Sequence, residues 1–325
     1  PVDLKIYNET NTLIREVKAK KTFPKGSRTV TWDGRNQTGD LVTSGVYYYV
    51  LEVKLGTVPD SHGTVPNFIH DPRSTTGGEE VMVEKLSWDV PKGTIHYLLP
   101  RASYVRVRIG LKEGVFLGTL QDWTPLEAGD KEVPWKGLDP SGHIDLSHHS
   151  EAQINIAAFA LPDNAIIVKS PVPIVEKPAG ESLLTPSTLS AEDPDLPLPA
   201  RQVYLHAGHP RNLCHELRFQ VQFLNTPAVP ATHVPILAEK TPVRITLDPK
   251  DRDYLVANRF EIMFFVDSVF LFEQGDAASP LTYYLSANQL GEGDHLLTVN
   301  VVDYEDHIGV QTVRVRVPAA EEKLA

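Results

Sequence analysis

The feature that most constrains this chain is an internal repeat. Val30-Thr31-Trp32-Asp33-Gly34-Arg35-Asn36-Gln37-Thr38-Gly39 lies over Val133-Pro134-Trp135-Lys136-Gly137-Leu138-Asp139-Pro140-Ser141-Gly142 at one offset of 103 residues. The offset holds upstream without a gap: Gly26 falls on Gly129, Ile14 on Leu117, Ile6 on Ile109, Leu4 on Val107 and Val2 on Val105. A lone Trp-x-Gly match is weak, but a collinear series of apolar and glycine positions is strong, so the chain is expected to build one supersecondary unit twice. Downstream, Tyr47/Tyr49/Leu51 match Ile154/Ile156/Ala158 after about four inserted residues around Ser147-His148-His149-Ser150.

Between these positions the apolar residues alternate. Val46 to Val53 (VYYYVLEV), Tyr104 to Ile109 (YVRVRI), Ile154 to Leu161, Leu217 to Leu224, Val243 to Leu247, Phe260 to Val266, Leu296 to Val302 and Thr312 to Val317 are short β-branched and aromatic runs bounded by turn residues. Windows with helical spacing are nearly absent, so the pattern predicts an all-β protein of packed sandwiches. At 325 residues the chain is long enough for two or three domains. Two irregular stretches divide it: Gly56 to Gly78 is polar and turn-rich, and Ser170 to Ala200 is dense in proline, with seven of the chain's 26, and favours extended structure. The expected organisation is a first sandwich at 1–55, a long loop or connector at 56–78, a second sandwich at 79–169, a Pro-rich linker at 170–200, a third sandwich at 201–318 and a polar tail at 319–325.

Within the repeated motif, a strand ending in Trp32 runs into a turn holding Gly34, Asn36 and Gly39, residues that tolerate positive φ, and the chain re-enters through Ser44-Gly45 into Tyr47-Tyr48-Tyr49. The tryptophan reads as a core plug and the glycines as turn residues. The segment TVTWDGRNQTGDLVTSGVYYYVLE resembles the Ig-like domain of the flagellar hook-capping scaffold FlgD, matching at Gly26, Trp32, Asp33, Gly34, Gly39, Ser44, Gly45 and Tyr47. The second copy keeps Gly129, Trp135, Gly137 and Gly142, but has Lys136 in place of the aspartate and loses the Ser-Gly-x-Tyr hairpin. The block from 201 to 318 is more loosely similar to bacterial Ig-like or fibronectin-like modules, through a strand at Phe260 to Val266 and the layout Leu290-Gly291-Glu292-Gly293-Asp294-His295-Leu296. The resemblance implies tandem Ig-like/fibronectin-like β-sandwiches. It also implies a first core strand, which Gly93 to Pro100 supplies in the second copy and nothing upstream of Val2 supplies in the first. An uncovered strand edge is expected there, to be filled by residues upstream of those given, by Gly78 to Leu86 folding back, or by a strand from another subunit.

Candidate chemistry is sparse. His206, His209, Cys214 and His215 form the densest cluster of soft ligands, at a spacing that fits no established zinc motif. Asp248, Asp251 and Asp253, and separately Asp303, Glu305 and Asp306, could cradle calcium, yet neither set follows an EF-hand loop, and Lys250 and Arg252 interrupt the first and argue for a solvated turn. Cys214 is the only cysteine, which excludes an internal disulfide framework and any zinc site of several thiolates. No Gly-x-Ser-x-Gly elbow, phosphate loop, His-Glu-x-x-His or Cys-x-x-Cys-His occurs, so neither catalysis nor covalent haem attachment is expected. Tyr48 faces away from Tyr47 and Tyr49; the family pattern makes this a core strand, and the lesser alternative is a carbohydrate platform built on Tyr48 and a neighbouring Trp123. A net charge of −11 gives no footprint for nucleic acid, and no apolar run reaches ~18 residues, so membrane insertion is not expected. The opening Pro1-Val2-Asp3 reads as a processed or truncated start.

These features point to a non-catalytic structural or interaction subunit of an exported assembly, on a bacterial surface or in the periplasm. It would work through sheet edges and the extended linker and need no cofactor beyond a calcium site at most. Its expected partners are other protein subunits, including copies of itself or a filament. The alternatives are a carbohydrate-binding or adhesion module, and a scaffold or decorating subunit of a filament or multihaem redox complex.

Overall fold

The computed structural model describes residues 2–9, 12–19, 29–53, 68–70, 80–112, 114–172, 216–303 and 307–319, and these are almost entirely β. The strands pack in three groups. In the first, β1 (Val2–Asn8), β2 (Leu13–Ala19), β3 (Gly45–Val53) and β4 (Phe68–His70) are joined by β11 (Ala165–Val168) in one sheet of order β11-β3-β1-β2, with β4 also on β3. The second sets β10 (Ala152–Ala160), β7 (Ser103–Leu111) and β8 (Phe116–Leu126) against β5 (Glu84–Asp89), β6 (Thr94–Leu99) and β9 (Gly129–Pro134). The third sets β12 (Phe219–Phe223), β13 (Thr241–Leu247) and β16 (Leu281–Leu285) against β15 (Val269–Gln274), β14 (Phe260–Val266), β17 (Gly293–Asp303) and β18 (Ile308–Val317).

The two related segments share a hydrogen-bond register. In the β1–β2 hairpin Lys5 pairs with Glu16, Ile6 with Arg15 and Tyr7 with Leu13, with an irregularity after Ile6. In the β7–β8 hairpin Arg108 pairs with Thr119, Ile109 with Gly118 and Gly110 with Phe116, with an irregularity after Ile109. Each of these pairs is displaced by the 103 residues read from the sequence. The return strand corrects the reading by two residues. Ile6 pairs with Tyr49 while Ile109 pairs with Ile154, so Tyr49 corresponds to Ile154 and only two residues are inserted, not about four. Both alignments preserve the inward face because a strand repeats every two residues.

The strand expected upstream of the first segment would also lie elsewhere than expected. Its counterpart in the second segment, β6, lies in the layer opposite β7 and not at that sheet's edge. That layer gives the second group a core of Ile95, Tyr97 and Leu99 against Val105, Val107, Ile109 and Leu117, with Trp88 stacked on Trp135 at 4.3 Å. The first group has a smaller core of Leu4, Ile6, Val42 and Tyr47, with Trp32 only half-buried and edge-on to Tyr47 at 5.2 Å. The open side of β3 is paired within the same chain by β11, from inside the segment assigned to the second sandwich. The described part of the segment expected to fold back, Glu80 to Leu86, does not cover it: Glu80 and Val81 bond instead to Phe159 and Ala158 of β10, and Glu84 begins β5.

The third group holds the largest core, in which Phe260, Ile262, Phe264, Leu297, Val299 and Val301 alternate inward against Val243, Ile245 and Leu247. It also contains the one α-helix among the described residues, α1 (Pro249–Asn258), which the sequence pattern did not signal. Asp248 caps it, accepting from the Lys250 N–H, and Pro249 opens it. Leu255 is its fully buried apolar residue, too narrow a stripe to register as helical periodicity.

Candidate functional site

The repeated motif forms the same turn in both places. Trp32 Nε1 donates to the Arg35 carbonyl at 2.8 Å, and Trp135 Nε1 to the Leu138 carbonyl at 2.8 Å. Gly39 N–H donates to Asn36 and Gly142 N–H to Asp139. The side chains of Asn36 and Asp139 gather the loop N–H groups: Thr38 and Asp40 on one, Ser141, His143 and Ile144 on the other. Gly34, Gly39, Gly137 and Gly142 have φ of +71°, +94°, +93° and +73°, which explains the glycine spacing. Gly129 opens β9 at φ +109° and Gly45 opens β3. Asp33 accepts the Arg35 N–H, and Tyr47 donates its hydroxyl to the Thr43 carbonyl. Gly26 lies outside the described residues. One of the two inserted residues sits in this loop, because Val42 N–H reaches Gly34 while Leu146 N–H reaches Gly137. Local hydrogen bonds set the acidity here: Thr38 and Asn36 hold the Asp40 carboxyl below its ordinary value, and Ser147 does the same for Asp145.

The extended interactions lie at two seams. At the first, β11 runs antiparallel to β3, with Ala165, Ile166, Ile167 and Val168 opposite Tyr48, Tyr47, Val46 and Gly45. Reciprocal bonds close both ends. Asn164 donates its side-chain amide to the Tyr49 carbonyl at 2.9 Å and receives the Tyr49 N–H on its own carbonyl at 3.1 Å. Ser44 donates to the Ser170 carbonyl at 3.1 Å and accepts the Ser170 N–H at 2.8 Å. Behind the strand pair, Val46 and Tyr48 pack into a buried cluster with Tyr104, Trp123 and Leu161, and Tyr104 donates its hydroxyl to Glu9. Tyr48 and Trp123 are thus neighbours, but at 2% and 7% exposure they form an internal seam and not a platform open to sugar. The Arg106 guanidinium covers the Trp123 ring at 4.5 Å.

At the second seam, Asn300, buried in β17, acts as a piece of strand. It donates to the Phe116 carbonyl at 2.9 Å and accepts the Phe116 N–H at 3.3 Å. Nearby the Glu216 carboxylate accepts the Thr119 N–H at 2.8 Å; burial raises its pKa against the lowering effect of that bond. Met263, Phe265 and Leu296 bring the outer face of β14 and β17 into the core of the second group. The polar seam residues Ser44, Asn164, Ser170, Glu216 and Asn300 were not anticipated; the one available signal was Asn300, a lone amide in the apolar run LLTVNVV.

The metal candidates separate. His206, His209, Cys214 and His215 lie outside the described residues, as do Glu305 and Asp306. Asp248 is the α1 cap, Asp251 is fully buried and accepts the Arg218 N–H at 2.9 Å with its Nε at 3.5 Å, and Asp253 is paired with Arg252 at 3.0 Å. A helix and its ion pairs therefore occupy these carboxylates, correcting the expected solvated turn. Asp303 accepts from the His307 ring at 2.7 Å and from its N–H at 2.8 Å. Among the described residues, no three His, Cys, Asp or Glu side chains are grouped to share a metal ion. No described helix is long and apolar enough to cross a membrane. A cleft of about 340 Å³ beside the first seam is lined by Arg101, Glu127, Leu161, Pro162, Asp163 and Ile167 among others, with Arg101 and Asp163 paired at 3.7 Å.

The family model of the FlgD Ig-like domain matches residues 1–56. None of the curated proteins matches the chain. Among solved structures, the fibronectin(III)-like modules of Clostridium thermocellum CbhA are 18% identical, covering 30% of this chain and 97% of theirs at a TM-score of 0.21. A Ca²⁺-stabilized, ice-binding adhesin of an Antarctic bacterium is 11% identical over 98% of this chain and 65% of its own, at 0.21. Escherichia coli α-2-macroglobulin is 11% identical over 98% of this chain and 21% of its own, at 0.22. Likenesses this distant carry nothing about partners or arrangement.

Proposed function

We propose that the chain is a non-catalytic structural subunit of an exported assembly, built from two FlgD-like sandwiches in tandem and a third Ig-like sandwich, and acting through protein–protein contact. The observation that carries this reading is the pair of seams. Tyr48, Trp123 and Asn300 are given over to locking successive units together, an arrangement suited to a stiff spacer. The shared register of the two hairpins supports the tandem FlgD-like assignment beyond residues 1–56. Burial of Tyr48 and Trp123 counts against the carbohydrate platform.

The test is native-size measurement of the purified chain before and after incubation with an envelope fraction of its source, with cross-linking mass spectrometry to map the contacts. Stable complexes cross-linked through sheet edges such as β15, where Val269 and Phe270 are exposed, are expected. A chain that stays monomeric without cross-links, or that hydrolyses or transfers a substrate in an activity screen, overturns the reading.

A further inference from the structure

The two sides of the first seam ride on different units. One side is β3 with the face of Val46 and Tyr48; the other is β11 with Tyr104, Trp123 and Leu161. The approach to the second side is held within its own unit: Leu161 N–H bonds to the Ala102 carbonyl and Ala165 N–H to the Pro162 carbonyl, each at 2.8 Å, so the second unit positions the start of β11. Without β11, the Gly45–Tyr48 stretch of β3 is a bare strand edge with main-chain donors and acceptors to satisfy. The covalent connection between the sides runs through residues 54–79. Phe68–His70 stay on β3, and the stretch 71–79 spans about 30 Å when extended. The contact is heterologous, because the two faces differ. Such a contact closes within one chain or, by the same bonds, between chains, and between chains it has no built-in end.

We propose that this seam is also the mating surface between copies of the chain: the first unit of one copy seats on β11, Tyr104, Trp123 and Leu161 of the next, giving head-to-tail chains. This rests on the reading of the protein as an assembly subunit and names the copy itself as the partner. Because the two sides belong to one chain, the in-chain contact has a higher effective concentration than contact between dilute copies, so the closed monomer prevails in dilute solution and exchange grows as copies are crowded together.

The experiment uses full-length chains in a Cys214→Ser background. Val46 and Ile167 lie directly opposite each other on one face of the pair, the spacing a disulfide accepts. A V46C chain and an I167C chain with tags of different size are unfolded together and refolded under mild oxidation, at about 10 μM and about 500 μM, beside a chain carrying both changes. The double variant is expected to close on itself. The mixture is expected to give a covalent V46C–I167C heterodimer whose yield rises roughly tenfold or more between the two concentrations. The proposal is overturned if the double variant closes and the mixture gives no heterodimer. It is equally overturned if an A278C chain, whose cysteine replaces the exposed Ala278 of the third unit, couples to V46C as well as I167C does. Failure of the double variant to close removes the strand pairing and the proposal with it. Loss of the heterodimer leaves complexes with other proteins untouched, so the two readings fail separately.

Discussion

Gly34 and Gly137 occupy the same place in the two copies of the turn, and an alanine at each is predicted to have unequal effects. Both have positive φ, +71° and +93°, so a Cβ costs about 1–2 kcal/mol of backbone strain at either site. Reduced freedom of the unfolded chain returns about 0.4–1 kcal/mol at both. Their surroundings differ. A Cβ on Gly34 meets nothing within 4 Å, whereas one on Gly137 stands 2.8 Å from Ser147 Cβ and 3.1 Å from the Ser147 N–H nitrogen. Relieving that overlap by shifting a backbone segment adds about 1–3 kcal/mol. Gly34→Ala should therefore destabilise by about 1 kcal/mol and Gly137→Ala by about 2–4 kcal/mol, the second lowering the melting temperature by roughly 8–32 °C for a unit of about 90 residues. All four tryptophans (32, 88, 123 and 135) fall in the first two units, so urea and thermal unfolding followed by intrinsic fluorescence report on the right part of the molecule. Equal losses at the two sites, or a larger loss at Gly34, would refute the argument that Ser147 closes over the second turn.

Other outcomes follow from the same structure. Trp123→Ala should destabilise the first two units by about 3–5 kcal/mol, as for a buried tryptophan in a packed seam, and a loss under about 1 kcal/mol in urea unfolding would show that the seam does not couple them. Asp251→Ala leaves the Arg218 N–H without its acceptor and breaks an ion pair whose arginine is 41% exposed, so about 2–3 kcal/mol is expected by calorimetry. Because Asp248, Asp251 and Asp253 are already engaged, millimolar calcium should leave the wild-type melting profile unchanged; a calcium-dependent rise centred on these residues contradicts their assignment. At His295, burial lowers the pKa, but the hydrogen bonds to Asp267 at 2.6 Å and the Gly291 carbonyl at 2.8 Å outweigh it and leave it above 6.5. The charged pair thus contributes in full below the unfolded-state value and fades as pH rises through the folded-state value. Thermal melts across pH 5 to 9 should show this decline in wild type and its absence in His295→Asn; identical slopes would contradict it.

Elements defined by local pattern were legible in the sequence. The Trp32 and Trp135 turns, the 103-residue offset and the alternating strands rest on glycine conformations and on a two-residue period that short windows contain. What was not legible depends on distant pairing. Ala165–Val168 reads as a short apolar run, but nothing local says that its partner is Tyr48 to Gly45. Tyr48 and Trp123 were named together only as an exposed platform, and whether two aromatics face solvent or each other depends on how units dock. The α1 helix escaped because Leu255 is the one apolar residue among the fully buried positions described on it, leaving no periodic stripe. The insertion count was off by two because any even shift keeps the same side chains inward.

The route of the backbone through β11 also sets an order of events during synthesis. β3 ends at Val53, yet the strand that closes its edge ends at Val168. At ~5–20 residues per second, the first unit waits on the order of ten seconds with an open edge while the second unit is made. An unfinished sheet of this kind is where a nascent chain pairs with its neighbours, so the amino-terminal part of this molecule reaches its final form only after the middle has folded. Any truncation before Val168 should therefore yield a sticky product rather than a smaller stable one.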